Sequence, residues 1–299
     1  MSSVDTVIMT GKPVATALYE RLKPRIEALE QRDITPGLVA LLVGDDPASK
    51  IYVGSKTRRF QELGLVAETR TLPADIRQKD LLSVIDELNA DGRFHGMLLQ
   101  LPLPAHLQAN ELLESVAPSK DVDGFHPFNL GRLLAGHPTF IPCTPHGILE
   151  LLSHYDITVA GRHAVIVGRS NIVGKPLAAL LSAKQPSGNA TVTLCHTSTA
   201  DLAHHTRQAD LLIVASGRAG LVTEDMVSPG VVIVDVGINR IKDDSEKGYH
   251  ITGDVDTEKM LGIAKAITPV PRGVGPLTVA MLVSNTVLAA ERSAGVGRH

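Results

Sequence analysis

Short continuous apolar runs alternate along the chain with longer stretches in which apolar positions recur at helical spacing. The run GLVALLVG, residues 37–44, predicts a strand covered on both faces. Residues 49–63 predict a helix with Ile51, Tyr52, Ser55 and Arg59 close to one face, and LVAETRTL (65–72) a second strand. Residues 77–91 predict an amphipathic helix, because Leu81, Leu82, Ile85 and Leu88 fall on one side. HGMLLQLPLP (95–104) predicts a third strand closed by prolines. The second half repeats the alternation, with strands expected at 163–167, 190–195, 210–215, 231–236 and 264–268. A helix over 142–155 joins the halves, and the apolar-rich helix over 275–293 is expected to pack back on the first.

This pattern gives an α/β protein of two domains. The first is a three-layer α/β unit with parallel strands, and the second a doubly wound, Rossmann-type unit. The expected spans are 1–142, completed by the C-terminal helix 275–299, and 143–274. No short internal repeat is visible.

With 299 residues the chain is long enough for two domains. A formal net charge of −3 argues against a nucleic-acid binder that relies on bulk positive charge, and the absence of Trp argues against a base-stacking platform. No segment reaches the roughly 18–20 apolar residues of a membrane span. The N-terminal MSSVDTVIMTGKPV is interrupted by Asp5 and Lys12, so no secretory signal is read there. These readings point to a soluble, cytoplasmic protein with no membrane partner. The two cysteines, Cys143 and Cys195, read as free thiols. The histidines show no H-x-x-x-H or H-E-x-x-H spacing, and no metal site is expected.

GRSNIVGKP, residues 168–176, follows the apolar run ending at Val167. A strand–glycine–helix turn offers free backbone N–H groups and a positive helix end to a phosphate. This one is not G-x-G-x-x-G. In the NAD version an acidic residue about 20 positions on binds the ribose 2′-hydroxyl. Here the next strand leads into His196-Thr197-Ser198, without an acid. Arg169 and Ser170 supply a charge and a hydroxyl suited to a 2′-phosphate, so the residue types favour NADP. The alternative is a purely structural αβ turn.

SKIYVGSKTRRF, residues 49–60, places Tyr52 and Lys56 one helical turn apart. Such a pair can relay protons; alone it is more often a surface lysine beside a half-buried tyrosine. Gln100 stands at the end of an apolar strand, where parallel sheets bind ligands. Asp121 and Asp123 in KDVDGFHP occupy a comparable loop and could accept hydrogen bonds from an amino-heterocycle. Taken singly these are more often turn residues.

Together, YVGSK, LLQLPLP, KDVDGFHP, PCTPHGILELL, VIVGRSNIVGKPLA, VIVDVGIN and ITPVPRGVGPLTVAMLVSNT closely resemble the methylenetetrahydrofolate dehydrogenase/cyclohydrolase family, in its bacterial bifunctional form. The resemblance spans roughly residues 5–290. It implies NADP-dependent oxidation of 5,10-methylenetetrahydrofolate to 5,10-methenyltetrahydrofolate, then hydrolysis to 10-formyltetrahydrofolate. It implies that Lys56 is the general acid/base, that Tyr52 positions the folate ring and orients Lys56, and that Gln100 holds and tunes Lys56. Asp123 would bind the amino-pyrimidine edge, and Ser49, Pro102, Pro271 and Gly273 would line the folate cleft. Gly168, Arg169, Ser170, Thr197 and Ile238 would contact NADP. A homodimer is also implied. The chemistry agrees: the methenyl group is cationic and would repel a protonated Lys56, so the lysine has to be neutral for part of the cycle.

Three positions depart from the family pattern. Arg272 stands where glycine is expected, GRAG with Arg218 and Ala219 stands where GKPG is frequent, and Thr197 replaces a serine. Arg272 bears most on the balance of the two activities. Competing readings are a dehydrogenase-only member, a two-domain NADP dehydrogenase resembling shikimate dehydrogenase, and a non-catalytic binding protein that kept the fold. The second does not predict Gln100-Leu101-Pro102, and the third predicts loss of Lys56, Gln100 or Asp123.

Overall fold

The computed structural model describes residues 5–245 and 248–296. The ends of the expected domain spans, 1–4 and 297–299, lie outside the described residues, as do 246 and 247 of the second span. Strand β1 (Val7–Ile8) and helix α1 (Gly11–Glu30) are followed by β2 (Gly37–Val43), α2 (Pro47–Glu62), β3 (Val66–Leu72), α3 (Gln78–Ala90) and β4 (Gly96–Leu99). Next come α4 (Ala109–Ser115), α5 (Pro127–Leu134), α6 (Cys143–His154), β5 (His163–Val167), α7 (Gly174–Ser182), β6 (Thr191–Cys195) and α8 (Leu202–Thr206). The chain continues with β7 (Leu211–Val214), β8 (Val232–Asp235), the antiparallel pair β9 (Asn239–Lys242) and β10 (Tyr249–Thr252), α9 (Thr257–Met260), β11 (Ala266–Ile267) and α10 (Gly275–Ser293).

Two compact units result. One comprises Leu18–Cys143 and the chain from Val279 onward. Its sheet is parallel, in the order β3-β2-β4. All seven residues of β2 are buried, as the unbroken apolar run requires of a central strand. Leu81, Ile85 and Leu88 of α3 pack on Val39, Leu41 and Met97. The later part of α10 belongs here too: Asn285 donates from Nδ2 to Val122 O (2.8 Å) and Ile141 O (3.0 Å).

One sequence expectation needs adjustment in this unit, and two features were not read from the pattern. Strand β4 ends at Leu99, well short of residue 104. The Gln100 N–H still reaches Leu41 O, but Pro102 and Pro104 have no N–H with which to extend the ladder. On α2, the face bearing Ile51 and Tyr52 is exposed, whereas Ser49, Val53 and Phe60 are buried. Helix α1 was absent from the apolar-pattern reading. Its signal was present in Val14, Leu18, Leu22, Ile26 and Leu29, all buried and all at helical spacing.

The other unit comprises the chain up to Ala17 and Thr144–Thr278. Its six-stranded parallel sheet has the order β1-β11-β8-β7-β5-β6. Strand β1 therefore joins this sheet, although residues 7 and 8 fall within the span expected for the first domain. Val7 N donates to Lys265 O and Met9 N to Ile267 O, an edge pairing too short to leave a pattern in the sequence. The order reverses at β5, which lies between β6 and β7. In open α/β sheets the crevice at such a reversal, at the carboxyl ends of the strands, is where ligands bind. Among the described residues no helix is long and apolar enough to cross a membrane.

Candidate active site

Helix α2 is set by its start. Asp46 Oδ2 accepts from Ser49 N at 2.8 Å, and Pro47 occupies the first turn, where a missing N–H costs nothing. One helical turn then separates Tyr52, 42% exposed, from half-buried Lys56. Lys56 Nζ donates to Gln100 Oε1 at 3.2 Å, and Gln100 Nε2 donates to Leu101 O at 2.6 Å. The two contacts together fix which way the amide faces. The helix and the end of β4 are thus joined through one neutral side chain. Ser49 is buried in the first turn of α2, and Pro102 is exposed beside Gln100.

Asp123 lies on a loop held from both sides. The Asp121 carboxylate accepts from Phe125 N (3.0 Å), His126 N (2.9 Å) and Asn129 Nδ2 (2.7 Å), so its oxygens are committed to shaping the loop. Asn285 clamps the Val122 carbonyl, and Cys143 N donates to Asp123 O. The Asp123 side chain differs from its neighbour. The residue is 8% exposed, and its carboxylate accepts no hydrogen bond from any described residue. Burial pushes its pKa up to about 6; the Lys56 charge opposes this rise and Asp121 adds to it. A buried carboxylate without donors is costly unless a ligand supplies them. Lys56, Gln100 and Asp123 are therefore brought together in one unit.

In the other unit, the cofactor candidates share the carboxyl edge of the sheet. Gly168 directly follows β5 with φ of 125°, and a Cβ there would collide with the Ala215 carbonyl after β7. Ser170 Oγ accepts from Val173 N at 3.0 Å, ordering the entry to α7 while leaving its own O–H to donate. Arg169, Thr197 and Ile238 are all exposed, the last two just beyond β6 and β8. The tip of β6 folds on itself: His196 N donates to Thr199 Oγ1 and Ser198 N to His196 Nδ1. The sequence reading missed a buried carboxylate pair behind this edge. Asp254 Oδ2 accepts from Ser216 N, Ser216 Oγ and Gly217 N, holding the end of β7, while Asp235 accepts from Gly237, Asp254 and Val255 N–H groups. The aspartates in VIVDVG and TGDVD were the only available signal. Among the described residues no group of three His, Cys, Asp or Glu is placed to hold a metal ion.

The segment around Arg272 is tightly packed. Gly11 N donates to Arg272 O at 2.9 Å, and a Cβ on buried Gly273 would strike the Pro269 carbonyl. Pro271 is exposed. Arg272 itself has φ of 84°, a left-handed conformation that disfavours any residue with a Cβ. Arg272→Gly is expected to stabilise the protein by about 0.5–1 kcal/mol, read as a raised urea midpoint. A lowered midpoint would mean that contacts of the guanidinium outweigh the backbone cost.

Residues 9–123 match the tetrahydrofolate dehydrogenase/cyclohydrolase catalytic domain, and residues 142–294 the NAD(P)-binding domain of the same family. The chain is 52% identical to bifunctional protein FolD 1 of Myxococcus xanthus over 287 residues, 95% of this chain and 98% of that protein. It resembles the crystal structure of the bifunctional enzyme FolD of Campylobacter jejuni with a TM-score of 0.90 and 47% identity, covering 96% and 99% of the two chains. The Trypanosoma brucei methylenetetrahydrofolate dehydrogenase-cyclohydrolase, solved with NADP and an inhibitor, is similar with a TM-score of 0.91 and 34% identity, covering 97% and 98%.

Proposed function

The chain belongs to the tetrahydrofolate dehydrogenase/cyclohydrolase family, and from that premise we propose how its residues divide the work. It is a bifunctional one-carbon enzyme that uses NADP. It oxidises 5,10-methylenetetrahydrofolate to 5,10-methenyltetrahydrofolate and hydrolyses that product to 10-formyltetrahydrofolate. In this reading the unit carrying α2 binds folate and the unit carrying β5 binds NADP. The homodimer implied by the sequence resemblance, and the cytoplasmic location expected from the sequence, are part of the same reading.

The observation that carries the site assignment is the Lys56–Gln100 contact beside a buried Asp123 whose carboxylate accepts from no described residue. Asp123 receives the paired N–H groups of the amino-pyrimidine, and Tyr52, Ser49 and Pro102 shape the surrounding surface. The sequence resemblance also implies folate contacts for Pro271 and Gly273. In hydrolysis, Lys56 takes a proton from the water that attacks the methenyl carbon. It returns a proton to N5 as the carbon–N5 bond breaks, so one water is consumed and one proton is released overall. Gln100 accepts from Lys56 without adding a negative charge of its own.

NADP, when bound, supplies the hydride acceptor for the oxidation. The residues present fit it: Gly168 leaves the backbone open, the start of α7 offers its positive end, and Arg169 and Ser170 add a charge and a donor. Catalysis of the oxidation is mostly positioning, because hydride transfer needs no acid. Arg169 reads the 2′-phosphate, with Thr197 and Ile238 as neighbouring contacts. Arg169→Ala is expected to reduce the NADP-over-NAD ratio of kcat/KM by about 10–100-fold. An unchanged ratio would remove Arg169 from this role.

The activity test mixes the protein with 5,10-methylenetetrahydrofolate and NADP⁺ or NAD⁺, following NADPH and the methenyl product separately. Methenyltetrahydrofolate is then supplied directly. NADPH formation without methenyl accumulation, and hydrolysis of the added methenyl compound, are the expected results. Accumulation that decays only at the uncatalysed rate would mean a dehydrogenase alone.

A further inference from the structure

Asp254 has no part in the chemistry assigned so far. It lies behind the cofactor edge of the unit that carries β5, and at 0% exposed it cannot touch a ligand itself. Among the described residues four uncharged donors satisfy its carboxylate. Ser216 N (2.6 Å), Ser216 Oγ (2.9 Å) and Gly217 N (2.9 Å) donate to Oδ2, and Asn239 Nδ2 (2.8 Å) to Oδ1. These donors belong to two separate loops. Ser216 and Gly217 follow β7, whereas Asn239 opens β9 directly after the turn 236–238 that leaves β8. A buried carboxylate is costly unless its oxygens are satisfied, so one side chain holds both loops.

Asp254 is itself seated on Asp235. Gly237 N and Asp254 N donate to Asp235 Oδ1 at 2.9 and 3.0 Å, and Val255 N to Oδ2 at 2.9 Å. A Cβ on Gly237 would strike the Asp254 carboxylate, and one on Gly253 the Asp235 carboxylate, so glycine at both positions lets the acids come this close.

The clamp reaches both segments assigned to NADP. The Ser216 N–H that Asp254 accepts and the Ala215 carbonyl belong to one peptide group, which is planar, so fixing the N–H fixes the carbonyl. That carbonyl is the atom a Cβ on Gly168 would strike, so the turn after β5 leans on a peptide oriented by Asp254. On the other loop, Ile238 stands between Gly237, bonded to Asp235, and Asn239, bonded to Asp254, while its own side chain is exposed. The neighbouring residues 217–220 are all exposed, so little else on the solvent side restrains this edge.

We propose that Asp254 is a positioning residue for NADP. Seated on Asp235, it fixes the Ala215–Ser216 peptide against the Gly168 turn and the turn that bears Ile238, so both are ordered before the cofactor arrives. Pre-ordering the loops removes a cost that binding would otherwise carry. The inference rests on the reading that this unit binds NADP through Gly168 and Ile238.

The test is Asp254→Asn in the full chain. NADP⁺ affinity is measured by calorimetric titration, and hydrolysis of supplied methenyltetrahydrofolate, which needs no cofactor, is the second readout. The backbone bonds from Gly220 N to Gly253 O and from Val222 N to Asp254 O survive the change. The amide lacks the charge that strengthens the Oδ2 bonds and presents donors where the carboxylate only accepts. The NADP⁺ dissociation constant is expected to rise at least about tenfold, with KM for NADP⁺ rising more than kcat falls and hydrolysis changing less than about twofold. Ser216→Ala, which removes the hydroxyl bonds to Asp254 and to Arg218 N, should weaken NADP⁺ by about two- to fivefold and leave hydrolysis in place. If Asp254→Asn fails to fold, Ser216→Ala decides alone. A folded Asp254→Asn that binds NADP⁺ like the wild type, or one whose two activities fall together with the urea midpoint at unchanged NADP⁺ affinity, would make Asp254 merely structural and overturn the inference. A wild-type chain that does not bind NADP⁺ would overturn the cofactor reading as well, so the two failures are distinct.

Discussion

Lys56→Gln is expected to slow hydrolysis of methenyltetrahydrofolate by about 10²–10⁴-fold, the usual contribution of a positioned general acid–base group. The expectation rests on geometry. Lys56 Nζ is held at 3.2 Å from Gln100 Oε1, and that amide is in turn fixed through Leu101 O. Glutamine at position 56 can occupy much of the same space but cannot take the proton from water. Folate affinity should fall far less than turnover, because the amino-pyrimidine is assigned to Asp123. A companion variant, Gln100→Glu, keeps the shape and adds a charge that favours the protonated lysine. It should depress hydrolysis and displace its pH profile upward, whereas a purely structural role for Gln100 would leave that profile in place. Single-turnover assays with methenyltetrahydrofolate read both effects. Normal hydrolysis by Lys56→Gln would refute the assignment.

The second large effect is expected at Asp123, where binding and stability should move in opposite directions. In the free protein Asp123 is 8% exposed, its carboxylate accepts from no described residue, and its pKa is raised from 3.8 to about 6. A carboxyl group whose folded pKa is raised favours folding fully below its unfolded pKa, and that contribution is lost as pH rises through the folded value. At pH 7 the ionised group therefore costs about 3 kcal/mol relative to its behaviour in water. Asp123→Asn removes the charge and should raise the stability of the free protein at pH 7 by about 1–3 kcal/mol, with the difference shrinking towards pH 4. The same change should weaken folate binding by about 10²–10³-fold, since an amide cannot accept from two donors as a carboxylate does. Wild-type affinity should also fall as pH drops below about 6, and that dependence should be absent in the variant. Urea midpoints and folate titrations at pH 5 and pH 7.5 check both limbs. Weaker binding together with a less stable free protein would mean that Asp123 is structural.

Each effect arises from residues whose types could be read in the chain but whose surroundings could not. The apolar runs at 37–44 and 163–167, and the helical spacing of Leu81, Ile85 and Leu88, are local properties, so periodicity alone yielded most of the strands and the helices α2, α3, α6 and α10, though not α1. The motifs YVGSK, LLQLPLP and KDVDGFHP were equally local, and their agreement in order carried the family resemblance. Contacts between distant parts of the chain were not legible. The sequence contains Asp121 and Asp123 as near twins, but only the fold commits one to Phe125, His126 and Asn129 and leaves the other without a donor among the described residues. Nothing around Val7 marks it as the partner of a strand more than 250 residues away, and nothing in TGDVD foretells that Asp254 secures the end of β7. The sequence by itself determined the elements, the family and the chemical repertoire, because these depend on neighbours along the chain. The tertiary structure decided which carboxylate is buried and accepts from no described residue, and which amide meets the lysine. Burial and pairing depend on segments that only folding brings together.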